Sequence, residues 1–207
     1  REHVYLTHEQ LHTLADEARD HRTLVLVLGY CGLRWGEAIG LRVRDLDMLK
    51  RRINVRVNAV EVGSRIVVGT PKTHKQRTVP FPRFMAEPLA QACDGKGRDD
   101  LVFAGADGGH LRRTRTDGSS GGWFAGADRR SGVPRLTPHD LRHTAASLAV
   151  SAGANVKAVQ RMLGHASASM TLDVYADLFD DDLEAVATAL DEAAASAGVG
   201  RMWAARP

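Results

Sequence analysis

Apolar positions in the first part of the chain repeat at helical spacing. Thr7 and Gln10 have the spacing of a capping box, which predicts a helix start. The apolar residues of this first helix are Leu11, Leu14, Ala15 and Ala18. Residues 23–31 are apolar on nearly every face, so we expect a second helix at the centre of the core. Gly32 ends that pattern.

Polar and apolar residues then alternate, which predicts strands. Residues 52–58 alternate as a half-buried strand does, and residues 65–68 and 77–81 supply two more β segments. Residues 70–76 form a polar turn that carries two lysines. The pattern predicts a small antiparallel sheet with a basic loop at its tip.

Helical spacing returns in the second half of the chain. Helices are expected over residues 84–93 and around 123–130, separated by a loop rich in Gly, Arg and Ser at 105–122. Thr137 is expected to cap a further helix, with Pro138 at its first position.

Two glycines divide the helices that follow. The helix that begins near Thr137 is expected to end at Gly153, and a short one over residues 155–163 is expected to stop at Gly164. An acidic helix comes last, with an apolar stripe expected to be buried: Leu183, Val186, Ala187 and Leu190. We therefore expect one domain over residues 1–192 and a mobile tail over 193–207.

Composition is that of a globular protein. The chain has 207 residues, of which 43% are apolar, and no apolar run reaches the ~20 residues of a membrane span. The two cysteines, Cys31 and Cys93, give no disulfide framework, which fits a reducing cytosol. The first residues do not resemble a signal peptide and lack Met, so we expect a longer protein around this segment.

Charge is unevenly distributed along the chain. Residues 34–83 contain twelve Lys and Arg against four acids, whereas residues 173–192 contain eight acids and neither Lys nor Arg. A basic first half is typical of proteins that bind a phosphate-rich partner, although a solvated charged face would look the same.

Several side chains suited to oxyanion chemistry lie on the helical second half. His139 and Arg142 are three residues apart, so they leave one face of a helix. His165 follows the helix stop, and Tyr175 comes ten residues later. Arg34 and Glu37 have the same three-residue spacing, which alone would indicate an exposed ion pair of little energetic value.

Five ordered segments of the chain resemble motifs of the tyrosine recombinases, the phage integrase family. HDLRHT, MLGH and TLDVY match the active-site half of that family, GLRWGEAIGLRVRDLD its first arginine motif, and PKTHKQRTVPFP its lysine hairpin. The resemblance implies an α+β catalytic domain, mainly helical with a small antiparallel β-sheet. It also implies cleavage and rejoining of DNA strands through a covalent 3′-phosphotyrosine intermediate.

The resemblance assigns a role to each motif residue. Tyr175 is the expected nucleophile, with His139 helping to deprotonate it. Arg34, Arg142 and His165 would stabilise the non-bridging phosphate oxygens, and Lys72 would protonate the leaving 5′ oxygen. Glu37 and His143 are expected to support these groups. Basic side chains expected to contact DNA are Lys75, Arg77, Arg112, Arg113 and Arg115, although a solvated loop would explain the last three equally well and Lys75 would also suit solvent.

The same resemblance implies the partners, among them a neighbouring subunit as the alternative place for the tail over residues 193–207. We expect double-stranded DNA as substrate, a homotetramer on two DNA sites when active, no membrane, and an N-terminal DNA-binding domain outside this chain. No cofactor is expected, and the protein is expected in the cytoplasm with bacterial or phage DNA. A type IB topoisomerase-like enzyme, which reseals the same strand, is the alternative.

Other readings of the motifs are weaker. His139 and His143 have the i, i+4 spacing of helical zinc ligands, but Asp140 stands where zinc proteases have Glu, so no metal is expected. GSSGG at residues 118–122 fits G-x-S-x-G without the strand that a nucleophile elbow requires. A DNA-binding relic would lack a catalytic residue, and none is missing.

Overall fold

The computed structural model describes residues 4–70, 76–112, 122–176 and 183–197. The chain divides into two compact units, Arg1–Ala176 and Asp177–Pro207. All residues with an expected catalytic role belong to the first unit. The division falls before the domain boundary expected at residue 192, which stays a prediction.

Helices are the main regular elements of the first unit. They are α1 (His8–Glu17), α2 (Arg22–Cys31), α3 (Trp35–Ile39), α4 (Ala86–Cys93), α5 (Trp123–Ser131), α6 (Asp140–Ser151), α7 (Val156–Leu163) and α8 (Ala168–Tyr175). Short 3₁₀ turns lie at Arg19–His21, Val43–Asp45 and Arg83–Met85. Within the described parts of the chain, no helix has the length and apolarity needed to cross a membrane.

Helix α2 is the centre of the core. Residues 24–28 are all buried, and α2 packs against α1, α3, α4 and α6. Burial of a leucine or valine side chain stabilises a fold by about 1.5–3 kcal/mol. The prediction of a central apolar helix is confirmed, and its end at Cys31 fixes the point from which the chain enters the site.

The β structure is split into two pieces. Strands β1 (Leu46–Asp47), β2 (Arg52–Val55) and β5 (Arg77–Pro80) form an antiparallel sheet in the order β1-β2-β5. Strands β3 (Asn58–Val62) and β4 (Arg65–Gly69) form a separate two-stranded ribbon. The expectation of one continuous strand over residues 52–58 in a single sheet is therefore wrong.

Packing against α3 explains the split. Gly36 lies so close to β3 that an added Cβ atom would come within 2.4 Å of the Ala59 carbonyl oxygen. The chain leaves β2 after Val55 and turns to pack along α3. The alternating sequence carries no signal for this contact, because it depends on the place of α3 in the fold.

Helix α6 begins later than the sequence indicates. The Thr137 backbone N–H and hydroxyl both donate to Asp140 Oδ2, at 2.7 and 2.9 Å, and the helix starts at Asp140. Thr137 therefore does not cap α6. Instead, its backbone N–H and hydroxyl are bound by the carboxylate of Asp140, the first helical residue. The observed end of the helix is close to the predicted one, since α6 ends at Ser151 and Gly153 follows with φ +85°.

The second unit contains helix α9 (Leu183–Ser196). Leu190 on this helix is 65% exposed, so the expected burial of the apolar stripe is wrong at this position.

Candidate active site

The ends of six elements meet at one place in the first unit. Arg34 caps the start of α3, Arg77 begins β5, and Arg142 and His143 lie on the first turn of α6. His165 follows the end of α7, and Tyr175 is the last residue of α8. The central helix α2 contributes the carbonyl of Gly32 just beyond its end.

Glu37 is the carboxylate that pairs with the arginines of this site. It is fully buried, and it accepts hydrogen bonds from the Arg34 backbone N–H and guanidinium at 2.8 and 2.9 Å. Burial acts to raise the pKa of Glu37, but the hydrogen bonds and charges of Arg77 and Arg34 outweigh it, so its pKa is lowered. Glu37 is therefore ionised and holds Arg34, and its side chain is fully buried, unlike the exposed pair that the spacing alone would indicate.

Arg77 binds the same carboxylate from the opposite side. Its two terminal nitrogens donate to Glu37 at 2.8 and 2.7 Å, and its Nε donates to the Met162 carbonyl at 3.1 Å. The side chain is only 10% exposed. This inward placement does not support the expected DNA contact of Arg77, because the guanidinium is committed to protein acceptors.

A glycine makes room for Arg77. Gly164 ends α7 with φ +68°, and a Cβ atom there would lie 2.9 Å from Arg77 Cδ. Both the left-handed backbone and the close contact favour glycine. Gly164 thus lets β5 and the end of α7 approach each other, which brings His165 beside Arg77.

Arg142 is almost completely buried and bridges two helix ends. It is 4% exposed, and its terminal nitrogens donate to the Gly32 carbonyl at 2.5 Å and the Leu163 carbonyl at 2.6 Å. A guanidinium has five N–H donors, so two such bonds leave three for an anion. Arg142 both ties the ends of α2 and α7 together and keeps donors available.

The site carries more positive charge than its one carboxylate balances. Burial, followed by the charge of Arg34, lowers the pKa of Arg142 to about 9. Burial and the charges of Arg142, Arg34 and Arg77 lower the pKa of His165 to about 4, so its imidazole is neutral at pH 7. Such shifts cluster at functional sites, and here they indicate a place where an anion would relieve repulsion.

Tyr175 lies inside the protein beside these cations. It is 2% exposed, and its ring is parallel to that of His165 with centroids 6.3 Å apart. Burial raises the pKa of Tyr175 to about 12, although the charge of Arg142 acts to lower it. A phenol of this kind needs a base before it can act as a nucleophile.

The phenol contacts His143, whereas the sequence predicted His139. The Tyr175 hydroxyl is 2.9 Å from His143 Nδ1, and the ring centroid of His139 is 5.6 Å from that of His143. His139 and His143 are one helical turn apart, so both face the site. The position of α8 decides which of them meets the phenol.

Two clefts flank this group. One has a volume of about 340 Å³ and is lined by Arg34, Asn58, Glu61 and the exposed His139. The other, of about 580 Å³, is lined by Arg77, Gln160, Arg161 and His165. Arg34 is 26% exposed, so its guanidinium is accessible from outside while Glu37 holds it.

Of the remaining predicted residues, one lies in the described chain. Arg112 donates to Glu61 Oε1 and to the Ser64 carbonyl, both at 3.1 Å, and so links the 101–112 segment to the β3–β4 ribbon. Lys72, Lys75, Arg113 and Arg115 lie outside the described residues. Within the described ranges, His, Cys, Asp and Glu side chains form no group of three that could hold a metal ion.

Sequence reasoning did not predict the ion pair of Arg77 with Glu37 and missed Thr171. Thr171 Oγ1 lies 3.0 Å from His165 Nδ1, and the residue is fully buried on α8. Arg77 stands in a basic stretch, so its charge suggested DNA, and Thr171 has no pattern of its own. The only available signal was its place within TLDVY, one turn before the tyrosine.

We expect Arg77→Ala to destabilise the fold by roughly 3–5 kcal/mol, because it leaves Glu37 buried with one of its two arginines. Urea unfolding measures the change. Arg130→Ala is the matched control, since the Arg130–Glu17 ion pair is exposed and such pairs contribute about 0–1 kcal/mol. Equal losses in the two variants would show that the Glu37 network does not hold the site together.

The model of the phage integrase family matches residues 4–181. The integrase of Mycobacterium phage L5 is 34% identical over 176 residues, which cover 81% of this chain and 46% of that protein. Tyrosine recombinase XerC of Corynebacterium efficiens is 32% identical over 162 residues, covering 75% of this chain and 46% of that protein. The chain thus spans about half the length of the curated relatives it matches.

Solved structures share the fold. The Tn1549 transposon integrase in complex with transposon right end DNA superposes with a TM-score of 0.74 at 24% identity, covering 94% of this chain and 67% of that one. The catalytic domain of bacteriophage HP1 integrase gives 0.63 at 23% identity, covering 90% of this chain and 95% of that one. The predicted fold class is confirmed. By its match over residues 4–181, the chain belongs to the phage integrase family.

Proposed function

We propose that this chain is the catalytic part of a site-specific DNA recombinase or integrase. It would cleave and rejoin DNA through a covalent bond between Tyr175 and a 3′ phosphate. One observation carries the proposal: Arg34, Arg77 and Arg142 surround a single carboxylate beside a buried tyrosine. Membership of the phage integrase family supports it.

The charge imbalance supports a phosphodiester as the anion. The guanidiniums of Arg34 and Arg77 share the one negative charge of Glu37. Arg142 lies nearby with a pKa lowered to about 9. A phosphodiester supplies one negative charge spread over two non-bridging oxygens, which suits planar guanidinium donors. Binding it would offset the repulsion between Arg142 and the other two guanidiniums.

The reaction we propose is a transesterification. Oxygen of Tyr175 attacks phosphorus, the P–O5′ bond breaks, and one phosphoester replaces another, so no nucleotide cofactor is required. The phenol proton passes to His143, which lies 2.9 Å from the hydroxyl. Lys72 gives a proton to the 5′ oxygen that leaves. The reverse sequence, with an incoming 5′ hydroxyl, reseals the strand.

Cationic and neutral donors would stabilise the transition state together. Arg34 reaches the phosphate from the smaller cleft, where His139 also lies, and Arg142 reaches it from the protein interior. His165 would donate from its imidazole N–H. Removal of one such donor from a transition-state oxygen typically slows an enzyme ~10²–10³-fold. Arg77 acts through Glu37 as a positioning residue in this scheme.

We extend the proposal to the assembly. Strand exchange requires two DNA duplexes, and we propose four copies of the full protein on two sites, with a further DNA-binding domain outside this chain. Lys75, Arg113 and Arg115 are proposed backbone contacts, and Arg112 could join them by leaving Glu61. The named relatives belong to phages and bacteria, so we place the protein with their DNA in the cytoplasm.

The test compares strand exchange with simple resealing. DNA sites are first selected from a randomised nicked-duplex pool by covalent attachment to the protein. A plasmid with two selected sites is then assayed for recombinant products, and a supercoiled plasmid with one site is assayed for relaxation. We expect recombinants from the two-site plasmid with the full-length protein. Relaxation of the one-site plasmid without recombinants from the two-site plasmid would contradict the proposal and indicate a type IB topoisomerase-like activity.

A further inference from the structure

His165 is held at both backbone groups and at one ring nitrogen. Its N–H donates to the Gln160 carbonyl at 3.1 Å, and its carbonyl accepts from Gln160 Nε2 at 3.1 Å. Its Nδ1 lies 3.0 Å from the Thr171 hydroxyl oxygen. Gln160 fixes the backbone, so the ring orientation depends on Thr171.

The direction of the bond to Thr171 follows from burial. Thr171 is fully buried, and in the described part of the chain its hydroxyl has this one hydrogen bond. If Nδ1 carried the proton, the hydroxyl would accept and its own hydrogen would have no acceptor. An unsatisfied buried donor costs about 1–3 kcal/mol. The hydroxyl therefore donates and Nδ1 accepts.

We propose that Thr171 is a positioning residue that fixes the tautomer of His165, so that Nε2 carries the hydrogen and donates it to the phosphate. A neutral imidazole has one N–H, and an acceptor bond at Nδ1 places that hydrogen on Nε2. The opposite tautomer would direct a lone pair at the phosphate oxygens and repel them. The catalytic part of this inference rests on the proposed recombinase function.

Burial and the cationic surroundings of His165 keep its ring neutral, so its tautomer decides whether it can donate to the phosphate. Burial and the charges of Arg142, Arg34 and Arg77 lower the pKa of His165 to about 4, and His143 adds to this effect. A doubly protonated ring could donate from both nitrogens whatever Thr171 does. A neutral ring cannot, so its one donor has to be directed.

Nitrogen NMR of the free protein tests the tautomer directly. With ¹⁵N-histidine labelling and assignment from a His165→Phe variant, we expect Nδ1 at the shift of an unprotonated acceptor and Nε2 at that of a protonated nitrogen. Thr171→Val should shift Nδ1 away from its hydrogen-bonded value, and Thr171→Ser should preserve it. Thr144→Val is the matched control, since Thr144 is equally buried and bonds the Leu6 N–H. A protonated Nδ1 in the wild type would overturn the proposal.

Cleavage kinetics test whether the tautomer matters to the reaction. Thr171→Val should lower the rate of covalent-complex formation ~10–100-fold with little change in DNA affinity, and Thr171→Ser should restore most of it. In a His165→Phe background Thr171→Val should have no further effect, because the lost group acts through His165. Additive losses would overturn the positioning role. A wild type that never cleaves DNA would instead refute the proposed function and leave the NMR result standing.

Discussion

Tyr175→Phe should abolish the covalent protein–DNA complex, while its affinity for DNA should stay within about threefold of the wild-type value. The phenol oxygen is the proposed nucleophile, whereas affinity comes mainly from contacts to phosphates. Phenylalanine keeps the ring against His165 and loses only the hydroxyl bonded to His143. The cost in stability should be about 1 kcal/mol. Trapping on a nicked duplex followed by denaturing gel electrophoresis measures the complex, and salt titration of binding measures affinity.

Tyr30→Phe is the matched control for this experiment. Tyr30 also bonds a histidine through its hydroxyl, to His8 Nδ1 at 2.8 Å, but it lies in a surface cluster with His12 and Phe84. This variant should form the complex at the wild-type rate. A covalent complex that persists in Tyr175→Phe and disappears in Tyr30→Phe would identify Tyr30 as the nucleophile.

Lys72→Ala should slow cleavage of normal DNA by ~10²–10⁴-fold, as loss of a general acid typically does. The 5′ alkoxide is a poor leaving group because its conjugate acid is weakly acidic. A 5′ thiolate needs no such help, since a thiol has a pKa of ~8.5 in the cysteine reference. Lys72→Ala should therefore recover most of its rate on DNA with sulfur at the 5′ bridging position, measured by single-turnover cleavage.

Arg34→Ala supplies the contrast. Its guanidinium is proposed to stabilise non-bridging oxygens, which both substrates retain, so sulfur at the bridging position should not rescue this variant. If Lys72→Ala stays equally impaired on the sulfur substrate, Lys72 is a phosphate contact. Lys75, three residues further along the sequence, would then be the next candidate for the acid.

Local patterns were sufficient for the elements whose contacts lie close in sequence. The all-round apolar residues 23–31 predicted the buried helix α2, and the Thr7–Gln10 capping box is present as predicted. The spacing of Arg34 and Glu37 predicted their ion pair. Each of these depends on residues within one or two turns, where helical geometry fixes which side chains meet.

Contacts between distant elements were not predictable from patterns. Arg77 is 40 residues from Glu37, and its charge alone suggested DNA instead of a buried carboxylate. His139 and His143 occupy one helix face, and only the packing of α8 selects His143 for Tyr175. Thr171 matters because its hydroxyl contacts the ring of His165, which lies on the other side of a turn. In each case the decisive partner belongs to another element.

The most direct test of the central claim is to identify the amino acid that carries the DNA. The covalent complex of the wild type is digested with nuclease and trypsin, and the modified peptide is sequenced by mass spectrometry. The chain has three tyrosines, and the peptide over residues 162–201, which follows Arg161, contains only Tyr175. The account predicts a nucleotide joined by its 3′ phosphate to Tyr175 in that peptide. A nucleotide on any other residue, or one joined through a 5′ phosphate, would contradict it.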